Sequence, residues 1–284
     1  MQVQAMADDP SCSADELGMV IGQDTALTAR LLKLVNSAFF GFNARVETVS
    51  RAVTLAGMDQ LRTLALAVSA VEVFKDLPPE KVSMVSFWSH SVFCGLVARE
   101  LAAACRVLHA ERLFVAGLLH DIGRLLIYVR LPEESAEIHR RFGAGGSTLS
   151  QVERDVLGFD HAEAGATLLA RWKLPPALQG AVAHHHHPQL AGASGLEAAL
   201  VQIADGVTHA LEQGSDAPGS FYDPYGALLR PSDTGLAPDA ARGVSADAFA
   251  ITGLDRRQLP AAVCRASERF DDVLDLLYPA TAIL

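Results

Sequence analysis

Histidine and aspartate residues that could bind a metal ion recur along this sequence of 284 residues. His120 and Asp121 are adjacent within an otherwise apolar segment, and further candidates lie on both sides of them: His90, His161, the run His184–His187 and Asp205. Imidazole nitrogen and carboxylate oxygen together suit divalent zinc, iron, manganese or nickel. These residues predict a site for one divalent ion, or for two if Asp121 bridges them.

Two other interpretations of the same residues remain open at the level of spacing. A buried histidine–aspartate pair such as His120 and Asp121 can be hydrogen-bonded structure without any metal. The run His184–His187 ends at Pro188, and it can be a solvated helix end, where histidines interact favourably with the helix dipole.

The elements that must position these residues are predicted to be helices. Asp24 and Thr48 are candidate caps of two early helices, and Ser13 with Glu16 fits a capping box. One helix is predicted over about 87–104 and another over about 110–129, which would carry His120 and Asp121. Further helices are expected near 149–156, 162–172, 176–184, 196–211 and 260–277. The chain shows no convincing alternation of apolar and polar residues, so the predicted fold class is all-α.

Composition divides the chain into two predicted subdomains. Residues 1–82 are expected to form an N-terminal helical subdomain that ends in a linker containing Pro78 and Pro79. Residues 83–284 form the second subdomain. Within it, residues 213–248 are rich in Gly, Pro, Ser and Asp, which predicts a loop-rich insertion.

Charge and apolar patterning exclude several classes of protein. Lys and Arg total 23 against 33 Asp and Glu, so the formal net charge is −10, and we expect no direct nucleic-acid partner. The longest apolar runs are too short to span a bilayer, and the N-terminus does not resemble a secretory signal. The four cysteines form no CxxC pair. These features predict a cytoplasmic protein.

Seven short motifs, in order over roughly residues 10–210, resemble the HDOD domain, the HD-related output domain of bacterial signalling proteins. They are Asn36-Ser-Ala-Phe39, Ala52-Val-Thr-Leu-Ala-Gly57, Phe87-Trp-Ser-His-Ser91, Ala116-Gly-Leu-Leu-His-Asp-Ile-Gly123, Asp160-His-Ala-Glu-Ala-Gly-Ala166, Trp172-Lys-Leu-Pro175 and His185-His186 before Pro188. The order of His90, His120-Asp121 and Asp205 also resembles the signature of the wider HD superfamily of metal-dependent phosphohydrolases.

The resemblance implies an N-terminal helical bundle packed on an HD-like helical core. It implies a regulatory output module that acts through contacts with signalling proteins, in a family generally regarded as non-catalytic. Members often follow a receiver domain, and the Leu-Pro-rich segment that usually opens the family is missing before Met1. We therefore expect the full-length protein to extend upstream, with a receiver domain as a candidate.

The resemblance also assigns roles to individual residues. His90, His120, Asp121 and Asp205 match the ligands of a mononuclear HD site, whereas His161 and either His185 or His186 fall where related HD-GYP phosphodiesterases place ligands for a second ion. The alternative function is therefore a metal-dependent phosphohydrolase that acts on a nucleotide or cyclic dinucleotide.

In that enzyme, Arg124 would stabilise phosphoryl charge. Two departures weigh against hydrolysis of cyclic-di-GMP. No GYP triplet follows the histidine run, and Arg124 stands where those enzymes have lysine.

Overall fold

A computed structural model describes residues 21, 23–37, 45–74, 77, 83–213 and 244–278 of the chain. Every regular element within these ranges is helical, which confirms the predicted all-α class. Among the described residues, no helix combines the length and the apolar character that crossing a membrane requires.

Three N-terminal helices are described: α1 (Thr25–Asn36), α2 (Val49–Ala56) and α3 (Met58–Phe74). Asp24 and Thr48 cap α1 and α2 as predicted, since each side chain accepts a hydrogen bond from an amide in the first turn. The predicted capping box and most of the predicted linker lie outside the described residues.

The remaining helices build the larger part of the fold. They are α4 (Met84–Ala104), α5 (Glu111–Leu119), α6 (Ile122–Arg130), α7 (Pro132–Gly143), α8 (Leu149–Leu157), α9 (His161–Arg171), α10 (Pro176–Ala183), α11 (Gly195–Gln213), α12 (Ala246–Thr252) and α13 (Leu259–Leu277). Helix α4 is buried along nearly its whole length and packs against α5, α11 and α13. A helix that is apolar on all sides belongs in the centre of a fold.

The N-terminal helices pack directly on this larger part. Helix α3 lies against α5 and α1 lies against α13, and the Gln60 amide donates a hydrogen bond of 2.8 Å to Glu111 between α3 and α5. One continuous apolar cluster includes side chains from both parts. The boundary between the two predicted subdomains, residues 1–82 and 83–284, stays a prediction.

Close backbone contacts bring the future site residues together. A Cβ atom on Gly117 of α5 would lie only 2.6 Å from the Cα atom of Gly95 in α4. A Cβ atom on Gly123 of α6 would lie 2.0 Å from the carbonyl oxygen of His161 at the start of α9. Glycine at these positions lets α4 approach α5, and α6 approach α9, more closely than any side chain would allow.

Three expectations about helices differ from the structure. The helix predicted over 110–129 is divided in two, because the chain turns at His120 and Asp121. The sequence analysis missed helix α7. Its signals are typical of a helix, since Pro132 stands at its start, its first turn is acidic and its last turn is basic. In the predicted insertion, 213 and 246–248 are helical, and 214–243 lie outside the described residues.

Candidate metal centre

The break between α5 and α6 presents His120 and Asp121 side by side. Helix α5 ends at Leu119, α6 begins at Ile122, and Asp121 has φ −98° and ψ 6°. His120 Nδ1 donates a hydrogen bond of 2.7 Å to the carbonyl of Gly117. Since a carbonyl only accepts, Nδ1 carries the proton and Nε2 presents its lone pair to the site.

A first donor group joins three separate segments. It consists of His90 Nε2 on α4, His120 Nε2 and Asp205 Oδ1 on α11, whose donor atoms all lie within 4.8 Å of one another. Asp205 Oδ1 is 3.2 Å from His90 Nε2 and 3.6 Å from His120 Nε2. Both histidine side chains are 1% exposed.

A second donor group comes from His161, His185 and His186, and its donor atoms also lie within 4.8 Å of one another. His161 is the first residue of α9, and the other two lie in the turn after α10. The Nε2 atoms of His161 and His186 are 2.8 Å apart. His185 Nδ1 donates to the carbonyl of Val182, which leaves its Nε2 as the donor atom.

Asp121 lies between the two groups. Its Oδ1 atom is 3.6 Å from His120 Nε2, 3.2 Å from His161 Nε2 and 4.0 Å from His185 Nε2. One carboxylate is therefore within reach of a ligand from each group, which is the placement required of a residue that bridges two ions.

Charged partners behind the donor residues fix their orientation. The Arg124 guanidinium donates from Nη1 to Asp121 Oδ2 over 2.7 Å, and both side chains are buried. Glu153 Oε2 is 2.5 Å from His161 Nδ1 and also accepts the His161 backbone N–H. Carboxylate partners on the outer nitrogen of a metal-binding histidine raise its basicity and set its tautomer.

The chemistry of the donor atoms fits a divalent cation. Among the described residues, the buried atoms without a hydrogen-bond partner include five at this site: the Nε2 atoms of His90, His120 and His185, Oδ1 of Asp205 and Nδ1 of His209. A buried polar atom without a partner is costly, so a group of them facing one another calls for a ligand. Lone pairs of imidazole and carboxylate make that ligand a metal ion.

Burial and charge perturb the pKa values of the site. Burial alone would raise the pKa of Asp121 and of Asp205, but electrostatic interactions with neighbouring basic side chains, His120 for Asp121 and His209 for Asp205 first among them, hold both pKa values well below the usual range. Burial, together with His120 and His161, lowers the pKa of His185 to about 4. The carboxylates are therefore anionic and His185 is neutral, which are the forms that bind metal.

The pKa values of two other histidines shift in the opposite direction, upward. Burial would lower the pKa of His90, but Glu212 and Asp205 raise it to about 10. Likewise, Asp121 and Glu153 outweigh burial and raise the pKa of His161 to about 10. The neighbouring carboxylates therefore favour the protonated form of both imidazoles, and a metal ion has to displace that proton before either histidine can be a ligand.

The structure brings together all the residues that the sequence singled out as ligands: His90, His120, Asp121, His161, His185, His186 and Asp205. His187 is exposed, and no donor group among the described residues includes His184 or His187. Because His185 is fully buried, the run is not simply a solvated helix end.

Sequence reasoning missed three contributors: Glu153, His209 and Glu212. Glu212 Oε1 lies 2.9 Å from His90 Nδ1, and its Oε2 lies 3.2 Å from His209 Nδ1. The spacing of Asp205, His209 and Glu212 places them on one face of a helix, and this signal was available. Glu153 reaches His161 across the turn between α8 and α9, which no local pattern indicates.

A family model and a known protein each match about two thirds of this chain. The family model described as HDOD domain matches residues 1–188. An uncharacterized protein of Treponema pallidum (strain Nichols) is 32% identical over 192 residues, which are 66% of this chain. The match covers only 36% of that relative's length.

Two solved structures share the fold. A Shewanella amazonensis SB2B protein, provisionally described as a phosphohydrolase, has a TM-score of 0.67 and 25% identity, over 96% of this chain and 91% of that one. A Marinobacter aquaeolei VT8 protein, provisionally described as a signal transduction protein, has a TM-score of 0.63 and 19% identity. That match covers 97% of this chain and 57% of the other, and at this identity the likeness concerns the fold alone.

Proposed function

Because this chain belongs to the HDOD domain family, we propose that it is a bacterial signalling module that acts through protein contacts and retains a divalent-metal site. The observation that carries the metal site is the set of buried donor atoms that face one another without hydrogen-bond partners. His90, His120 and Asp205 would hold one ion, His161, His185 and His186 a second, and Asp121 would bridge them. Iron, manganese, zinc and nickel all suit this donor set.

Elemental analysis of untagged protein, purified without a nickel column, tests the metal site. We expect stoichiometric metal in the wild type and loss of metal in His120→Ala. His139→Ala is the matched control, because His139 lies on α7 and bonds its own helix backbone at Ser135. A wild-type protein that stays metal-free after supplementation with each metal would refute the site.

Affinity capture from the native bacterium tests the regulatory part of the proposal. We expect signalling proteins to be recovered with the wild-type chain. Recovery of no such partner, together with robust hydrolase turnover, would overturn a regulatory role in favour of an enzyme.

A second candidate function is a metal-dependent phosphohydrolase acting on a nucleotide or cyclic dinucleotide. The position of Asp121 Oδ1 between the two donor groups favours it, since two bridged ions are a recurring arrangement in phosphoryl-transfer enzymes. When bound, divalent ions supply Lewis-acid polarisation of the phosphoryl group and activation of water. The name of the Shewanella relative is consistent with this candidate.

The chain's own residues would orient and hold that centre. Arg124 would keep Asp121 anionic and aimed at both groups, because its Nη1 donates to Asp121 Oδ2 in a buried ion pair. A guanidinium has further N–H donors, and these would stabilise phosphoryl charge without breaking that ion pair. We therefore assign Arg124 both to positioning Asp121 and to stabilising phosphoryl charge. Substrate would approach beside Asp205, where the neighbouring His209 and Glu212 are 39% and 34% exposed.

A screen of nucleotides and cyclic dinucleotides against metal-loaded protein separates the two candidates. If the chain is an enzyme, Asp121→Asn abolishes turnover while the protein stays folded. If it is only a regulatory module, the wild type raises no product above the Asp121→Asn background.

A further inference from the structure

Glu212 and His209 supply further donor atoms, separate from the two donor groups described above, at the exposed edge of the metal centre. The two residues, which we call the outer pair, are three positions apart on α11, and His209 Nδ1 is 3.2 Å from Glu212 Oε2. The other carboxylate oxygen of Glu212 lies 2.9 Å from Nδ1 of buried His90. Donor atoms of these three residues all lie within 4.8 Å of one another, close enough to hold a metal ion.

His90 faces the first donor group with one nitrogen and the outer pair with the other. Its Nε2 lies 3.2 Å from Asp205 Oδ1, whereas its Nδ1 lies beside Glu212. A neutral imidazole has one lone pair and one N–H. His90 can therefore ligate an ion on only one side at a time, and its other nitrogen then donates to the carboxylate on the opposite side.

Exposure differs sharply between the two sides of His90. The outer pair is 39% and 34% exposed, whereas His90 and His120 are 1% exposed and Asp205 is 16% exposed. The side chains of the outer pair are therefore closer to solvent than the first donor group, although the Nδ1 atom of His209 is itself buried. A cation from solvent would meet the outer pair first. Asp205 Oδ1 is also 3.8 Å from His209 Nδ1, so acceptor atoms continue inward without a gap.

We propose that the outer pair, with Nδ1 of His90, is an entry position for divalent cations, from which the ion passes to the first donor group as His90 exchanges its ligating nitrogen. The arriving ion takes the place of the proton on Nδ1, which leaves to solvent beside Glu212. When the ion moves inward, the proton on Nε2 leaves to solvent beside Asp205 and Nδ1 takes up a proton from solvent. This inference rests on the proposed metal site and adds a route into it. The outer pair and the first donor group share His90, so they hold an ion in turn. Glu212 attracts the cation, and His209 supplies a donor atom while the ion sheds water.

Uptake of Co²⁺ by metal-free protein, followed by its visible absorption in a stopped-flow instrument, tests the entry position. His209→Ala is the decisive variant because it removes one donor of the outer pair. It keeps the negative charge of Glu212, which is also the hydrogen-bond partner of His90. We expect His209→Ala to slow Co²⁺ uptake and chelator-driven release by the same factor, so that equilibrium affinity is preserved. Glu212→Gln should slow uptake at least about tenfold, since an anionic group in a cleft raises cation on-rates by that order.

Matched controls are His139→Ala and Glu133→Gln, which remove a histidine and an exposed carboxylate from α7, and both should take up Co²⁺ at the wild-type rate. Uptake by His209→Ala at the wild-type rate would overturn the proposal. Faster release with unchanged uptake would also overturn it, because His209 would then be an ordinary ligand of the first donor group. If the wild type binds no Co²⁺, the metal site itself fails, which is a distinct result.

Discussion

Replacing Gly123 by alanine should damage both the stability and the metal site of this protein. An alanine Cβ at this position would lie 2.0 Å from the carbonyl oxygen of His161 and 2.6 Å from the amide nitrogen of Gly165. Ordinary contact begins at 3.4 Å, so the shortfall against the first atom is about 1.4 Å. Both obstacles are backbone atoms of α9, so no side-chain rotation relieves the clash, and α6 and α9 must separate.

The cost follows from overpacking a closely fitted contact. Such substitutions typically destabilise by about 1–3 kcal/mol, and a backbone clash belongs at or above the upper end of this range. A loss of about 3 kcal/mol lowers the melting temperature by roughly 6–12 °C in a domain of around 200 residues. If α6 and α9 separated by about 1 Å, His161 would also move away from Asp121, and their Nε2 and Oδ1 atoms are now 3.2 Å apart. A functional site tolerates displacements of only about 0.5 Å in its side chains.

Thermal unfolding and metal content, measured on the same preparations, check this reasoning. The matched control is Gly143→Ala at the end of α7, where an added Cβ meets nothing within 4 Å. We expect Gly143→Ala to melt at or slightly above the wild-type temperature and to retain metal. A Gly123→Ala protein that melts within about 2 °C of the wild type, with unchanged metal content, would refute the close contact of α6 with α9.

Four further outcomes are expected. Glu153→Gln should weaken metal binding by about 10–100-fold, because Glu153 orients His161 and raises its basicity. Isothermal titration measures this affinity, and an unchanged affinity would show that Glu153 does not act on the metal site. Metal binding should release protons and strengthen as pH rises from about 6 to 8, since the pKa values of His90 and His161 are raised to about 10 in the metal-free chain; a pH-independent affinity would contradict those protonation states. Gln202→Ala should destabilise by about 1–3 kcal/mol, because the Gln202 amide donates a partly buried hydrogen bond to the His186 carbonyl. Denaturant unfolding measures this loss, and a loss below about 0.5 kcal/mol would count against that bond. A chelator should lower the melting temperature of metal-loaded protein, since metal present at 100 times its dissociation constant contributes about 2.7 kcal/mol, and an unchanged melting temperature would mean that the folded chain holds no metal.

Much of the fold follows from local pattern. Helical periodicity and the absence of strand-like alternation predicted the all-α class, and the caps at Asp24 and Thr48 lie where the sequence placed them. These features depend on the few residues around them, because a cap or an amphipathic turn is stabilised within its own helix. Residue type and order likewise identified the candidate ligands and the family.

The tertiary structure alone decided how those residues meet. The sequence predicts one continuous helix through His120 and Asp121, but the structure has a break there, and both side chains point into one site. Next to this break, α6 packs closely against α9 at Gly123. His90 and Asp205 are more than a hundred residues apart, yet their donor atoms are 3.2 Å apart. Periodicity shows which face of each helix is buried, but not which helix that face meets.

The same distinction applies to the residues behind the ligands. Glu212 contacts His90, which is far away in the sequence, and Glu153 contacts His161 across the turn between α8 and α9, so each glutamate by itself looks like an ordinary acidic residue. Residue types therefore determined which donors are available and which metals they suit. Long-range packing determined the geometry, the protonation and the exposed edge of the site, because burial and neighbouring charge set these properties only after the helices assemble.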